Sequence, residues 1–201
     1  MEWNVTFEKS FGEEEQRWTR QTLKAQVVFE AGQYGNAAKE LWEVLIEARH
    51  AKNRPWECIT LAHLGKVYRH IRNGISLKLL EEALELSREL GFAPGELIAL
   101  GELGETACLW GDLAKARKTL EEAARLVEPE RENDRRALLL RLAMVYEGQG
   151  ESKKAKSMVG EVLQIDQRLG IPDGEDREHF DRLNGTTEPV EEVLASAIAS
   201  W

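Results

Sequence analysis

His63, Lys66, Arg69 and His70 fall at intervals of three, three and one. On a helix, positions three or four apart project together, so Lys66, Arg69 and His70 form one basic cluster. Such a cluster has two chemistries. It can grip a carboxylate or acidic side chain of a ligand, or it can pair with Glu102 and Glu105 further along the chain. Both readings stay open on the sequence alone. His63 and His70 lie seven residues apart, about 10.5 Å along a helix axis, too far to share one ion. No metal site is expected. Nor is catalysis, which needs a nucleophile, a base and an electrophile stabiliser converging on one point. The Asp and Glu residues are dispersed, Cys58 and Cys108 have no evident His partner and no Cys-x-x-Cys spacing, and Gly101-Glu102-Leu103-Gly104 reads as helix packing, not a phosphate loop. The expectation is a non-enzyme without cofactor.

The bulk composition narrows the class further. The chain has 201 residues, 42% of them hydrophobic and 31% charged, with only 5 Pro, which suits a folded helical protein. A formal net charge of -9 opposes affinity for phosphate backbones, which comes from Lys and Arg displacing counterions. Direct nucleic-acid binding is therefore not expected. No apolar run approaches the roughly 20 residues needed to span a bilayer, and residues 1–4 show no basic start followed by an apolar stretch. A cytoplasmic location and no membrane contact are the default expectations.

The elements that would position the cluster are written in a period. Ala25, Gly65, Gly104 and Ala143 recur at steps of 40, 39 and 39. Three further columns keep step: Val28, Tyr68, Ala107, Tyr146; Leu41, Leu80, Leu120, Val159; and Val44, Ala83, Ala123, Val162. A fixed period of this size means stacked copies of one supersecondary unit. Within each copy, apolar residues fall at helical intervals and strand alternation is absent. Helices are expected at 13–31, 34–50, 55–72, 74–90, 94–110, 112–128, 132–149 and 151–169, paired into four hairpins.

Gly32, Gly111 and Gly150 mark the turns within hairpins, and Gly91 and Gly170 end the preceding helices. Pro55, Pro94 and Pro172 fall at multiples of 39 near the first turn of a following helix, where a missing N–H is harmless. The second copy has a turn one residue shorter than the others, so the columns step 40, 39 and 39 before the turn and 39, 40 and 39 after it. The expected organisation is an N-terminal arm over 1–12, four repeats over 13–170 (about 13–52, 53–91, 92–130 and 131–170), and a polar half-repeat with an amphipathic helix over 171–201. In the half-repeat, 175–183 occupies the place of a first helix, but Asp181 and Arg182 stand where the small residue should be.

These columns resemble the tetratricopeptide repeat superfamily. The resemblance is carried by Leu64-Gly65-x-x-Tyr68 and Ala83, by Leu103-Gly104-x-x-Ala107, Gly111-x-Leu113, Ala116 and Leu120, by Leu142-Ala143-x-x-Tyr146, Gly150-x-Ser152, Ala155 and Val159, and by Gly32-x-Tyr34, Ala37 and Leu41. The period exceeds the family's usual ~34 residues, and so looks like the longer-helix variety of bacterial regulatory proteins and of kinesin light chain. The family's leading Trp is absent. The resemblance implies an all-α, right-handed superhelical solenoid whose first helices line a concave groove. The implied groove residues are Thr22, Gln26, Phe29 and Glu30; His63, Lys66, Arg69 and His70; Glu102, Glu105, Cys108 and Leu109; and Arg141, Met144 and Glu147. The family's carboxylate clamp is missing, because its places hold Thr22, Gln26, His63, Ile98 and Glu102.

The expected function is a scaffold or adaptor binding a peptide or helix of a partner protein in that groove. A regulatory module that binds an effector peptide and changes curvature is the alternative. The C-terminal segment presents Val190, Val193, Leu194, Ala197, Ile198 and Trp201 on one helical face. That face has three readings: it caps the stack, fills the groove as an internal ligand, or pairs two chains into a homodimer.

Overall fold

The computed structural model describes residues 12–71 and 74–185. They are all-helical, with no strand among them: α1 (Glu13–Glu30), α2 (Tyr34–His50), α3 (Arg54–His70), α4 (Ile75–Leu90), α5 (Ala93–Leu109), α6 (Leu113–Leu126), α7 (Glu132–Gly148), α8 (Ser152–Leu169) and α9 (Gly174–Leu183). The helices fall into two compact units that divide within α5, the first ending at Thr106 and the second starting at Ala107. The segment over 1–11, with Trp3, Phe7 and Phe11, lies outside the described residues, as do Val190, Val193, Leu194, Ile198 and Trp201.

Helix starts follow from their caps. Glu15 accepts from the Gly12 backbone N–H at 3.2 Å, and Glu13, Glu14 and Glu15 put negative charge at the positive end of the α1 dipole. Asn53 accepts from the Trp56 N–H at 3.2 Å, just ahead of Pro55 in the first turn of α3. Gly32, Gly111 and Gly150 take φ of +74°, +81° and +74°, the left-handed conformation their turns require. One helix is shorter than its periodicity suggests. Val127 is extended (ψ 118°), so α6 stops at Leu126, and Pro129 disfavours helical geometry in the residue before it.

In the first unit, cross-helix contacts give the register. Arg17 meets Glu47, Gln21 meets Glu43 and Lys24 meets Glu40, so α1 and α2 run antiparallel. Between α3 and α4 the small-residue column does its work: a Cβ on Gly65 would sit 2.5 Å from Leu80 Cγ, and the Ser76 hydroxyl donates to the Gly65 carbonyl at 2.8 Å. First helices align in parallel at about one period. Trp18 of α1 packs edge-on against Trp56 of α3 at 5.8 Å. The buried cluster joins Ala25, Leu41, Leu61, Leu64, Leu80, Ala83, Ala99 and Leu103. Cys58 Sγ lies where a Gly95 Cβ would come within 2.6 Å, so that glycine lets α5 approach α3.

In the second unit, α7 and α8 are antiparallel through Arg135–Glu161 and Arg168–Glu132, over a core of Leu139, Val162 and Ile165. The half-repeat forms a helix, α9, but buries no residue of its own. Charge holds it. Arg136 of α7 joins both Asp166 of α8 and Asp176 of α9, and Glu147 of α7 lies 2.9 Å from His179.

Candidate protein-binding surface

The first unit collects the basic cluster and its neighbours on α1, α3 and α5. Arg69 is buried, with its side chain 1% exposed. It donates from Nη1 to Glu102 Oε2 at 2.8 Å and from Nη2 to Glu105 Oε1 at 2.9 Å. Its charge is committed inside the protein, so Arg69, Glu102 and Glu105 do not offer their charges to a ligand. His63 is buried too, and burial together with the Lys66 charge lowers its pKa to about 3, keeping the ring neutral. Thr22 is likewise buried.

Gln26, Phe29, Lys66 and His70 stay partly exposed, and Glu30 is fully at the surface. The Phe29 ring meets His70 edge-on at 4.8 Å and Tyr34 at 5.3 Å, while Tyr34 stacks on His70 at 5.2 Å. The Lys66 amine lies 5.2 Å from the Phe29 ring centre, within cation–π range. Burial and the neighbouring Arg69 lower the His70 pKa, so the ring contributes an aromatic surface and not a charge at neutral pH. Gln26 donates to Glu30 at 2.9 Å beside this cluster.

Tyr34 is the member that sequence reasoning missed. It stands in Gly32-x-Tyr34, which reads as repeat packing, yet the opening residue of α2 reaches back over the end of α1. Its position near Phe29 across the three-residue turn of Ala31, Gly32 and Gln33 is the signal that was available.

In the second unit Leu109 is exposed, with Trp110 beside it, and Arg141, Met144 and Glu147 are half-buried. Glu147 is occupied from within the chain. His179 bonds it, Arg182 approaches to 3.9 Å, and the bond from His179 holds its carboxyl below the usual carboxylate range. His179 and Arg182 had no signal in the columns, because α9 departs from them.

Among the described residues no group of three His, Cys, Asp or Glu is placed to hold a metal, and no helix is long and apolar enough to cross a membrane. Cys58 donates to the Ala83 carbonyl at 3.2 Å, and burial pushes its thiol up to about 12. That is a packed thiol, far from the low pKa of a nucleophile.

Antiparallel hairpins that repeat at a constant step, keyed by small residues, define a helical-repeat protein. Residues 72–128 match the family model of the tetratricopeptide repeat. Two crystal structures of nearly identical TPR-like repeats, from a Podosopora anserina protein assigned as a kinesin light chain, share the fold. The first, a single-site variant, has TM-score 0.65 and 19% identity and covers 94% of this chain and 97% of its own. The second has TM-score 0.64 and 18% identity, with 92% and 95% covered. No curated protein sequence matches the chain. Residues 72–128 are thus similar to tetratricopeptide repeats, and the likeness to the two solved structures shows the same fold along the chain.

Proposed function

We propose that this protein is a non-enzymatic interaction module that binds a segment of a partner protein on the first-helix surface of its first unit. Tetratricopeptide repeats generally mediate protein–protein contacts, and repeat proteins bind through the extended face of stacked elements. The observation that carries the reading is the cluster of Phe29, Tyr34 and His70 with the Lys66 amine above Phe29. Rigid aromatic side chains that are only half covered make good anchors, since they offer large contact area with little side-chain entropy to lose.

The fitting ligand is a peptide or helix that lays an apolar side chain against Phe29 and Tyr34 and sets polar groups against Gln26, Glu30 and Lys66. Leu109, Arg141 and Met144 are proposed as further contacts in the second unit. Site-specific photo-crosslinking tests this. A photoreactive residue at Lys66 should capture a partner that the same residue at Lys78, exposed on α4, does not. Capture of the same proteins with equal yield at both positions would overturn the proposed surface.

A further inference from the structure

The second unit holds a slot along α8 that shares no residue with the first-unit surface. Lys153, Lys156, Ser157, Gly160 and Gln164 line it, with the Phe180 ring of α9, around a cavity of about 750 Å³. Their spacing of three, one, three and four puts the α8 residues on one face. Arg168, one turn past Gln164, extends that face to about 22 Å at 1.5 Å per residue. Ser157 and Gly160 keep its middle low, and a Cβ on Gly160 would already meet Phe180 at 3.4 Å.

Charge is uneven along the slot. Glu132, Arg135, Glu161 and Arg168 complete the lining together with Pro129, and they are matched to one another: Arg135 donates to Glu161 at 2.6 Å and Arg168 to Glu132 at 2.6 Å, joining α7 to α8. Those pairs leave no net charge. Lys153 and Lys156 have no such match. Among the described residues no carboxylate pairs with either, and the Lys156 amine lies 5.4 Å from the centre of the Phe180 ring. The slot therefore carries two positive charges beyond its own pairs, on a chain whose formal net charge is -9.

The two lysines also stand at the unfavourable end of their helix. Lys153, Lys154 and Lys156 fall in the opening stretch of α8, and no acidic residue occupies its first turn, so the helix dipole opposes all three. Glu151 relieves Lys154 by pairing with it at 2.5 Å. Lys153 and Lys156 keep a repulsion that carboxylates arriving from outside would remove.

We propose that this slot docks an acidic helix of a partner protein, which sets two carboxylates one turn apart against Lys153 and Lys156 and an apolar side chain against Gly160 and Phe180. The helix lies along α8 in the manner of an amphipathic helix in a groove. Ser157 and Gln164 offer it hydrogen bonds. The arginine–glutamate pairs bound the slot on α7 without net attraction, so affinity and its dependence on salt reside at the lysine end.

Fluorescence anisotropy of a dye-labelled helical peptide of glutamate, leucine and alanine, titrated with the full-length chain, tests the proposal. Lys153→Glu with Lys156→Glu should weaken binding at least about tenfold. Glutamates in the first turn favour α8, so that loss does not come from unfolding. Lys39→Glu with Lys78→Glu, exposed on α2 and α4, changes net charge equally and should leave binding intact. Gly160→Leu fills the slot without altering its charges and should weaken binding as the lysine reversals do. Circular dichroism on each variant confirms that helicity is kept. Equal loss in the two charge-reversed pairs would reveal diffuse attraction, and undiminished binding to Gly160→Leu would put the peptide outside the slot. Loss with Lys66→Glu in place of the α8 lysines would move it to the first-unit surface, and no uptake by the unaltered chain would show that the slot admits no such helix. Each of those results overturns the proposal.

Discussion

Replacing Arg69 by Met should destabilise the protein far more than the loss of any surface ion pair. Arg69 is 1% exposed in its side chain, and its partners Glu102 and Glu105 are 3% and 9% exposed. Truncation removes both donors and leaves two buried carboxylates facing a methyl group. Breaking a buried pair from one side costs about 3–5 kcal/mol. The matched control is Arg17→Met. Arg17 pairs with Glu47 at 2.6 Å, but the two side chains are 54% and 40% exposed, and a pair that is so well solvated is worth about 0–1 kcal/mol. Equilibrium urea unfolding followed by circular dichroism measures both. The triple variant Arg69→Met, Glu102→Leu, Glu105→Met should recover most of the loss, because an apolar replacement of similar volume removes the stranded charges as well. If Arg69→Met and Arg17→Met differ by less than about 0.5 kcal/mol, a surface-scale effect, or if the triple variant is worse than the single one, the reasoning from burial fails.

Acidification should expose a separate effect. His63 is held neutral in the fold with a pKa of about 3, against 6.5 when free, so its contribution is complete above pH 6.5 and is lost as pH falls toward 3. By pH 5 the linkage amounts to about 2 kcal/mol, and His63→Gln should flatten the pH dependence of the urea midpoint over that range. Gly65→Ala should cost about 1–3 kcal/mol by overpacking, since the new methyl would meet Leu80 Cγ at 2.5 Å, again read by urea unfolding. Lys52 adopts φ +55° at the place where Gly91 and Gly170 take +60° and +66°, so Lys52→Gly should raise stability by about 1 kcal/mol, seen as a higher melting temperature. Iodoacetamide at pH 8 should label Cys108 well before Cys58, whose thiol is buried with a pKa of about 12; equal rates would show that the α3–α5 contact opens readily.

The helices were legible because each small-residue column is a direct imprint of close packing. Gly65 is small because Leu80 occupies the space beside it, and Ala25 and Ala143 of the same column are fully buried. Depth was less legible. Helical spacing assigns Lys66, Arg69 and His70 to one side, but it does not say how far under the surface each head lies. Lys66 stays partly exposed over Phe29, whereas Arg69, three residues on, is drawn inward by two carboxylates from α5. That burial depends on what the next first helix brings opposite. His179 and Arg182 were unreadable for another reason: their contact with Glu147 arises in a helix whose attachment is ionic, and ionic contacts leave no apolar period.

Gly65 and Ser76 stand one residue closer in sequence than Ala25 and Ala37, Gly104 and Ala116, or Ala143 and Ala155, and still the Ser76 hydroxyl donates to the Gly65 carbonyl and Leu80 fills the space beside it. Tolerance for gained or lost residues therefore resides in the junctions, whereas adding one within α3 or α4 would rotate every later side chain by about 100°, as 3.6 residues per turn demands, and unlock the pair. Epitope tags, reporter fusions and natural length polymorphism should all be accommodated at residues 71–74 and refused a few positions to either side.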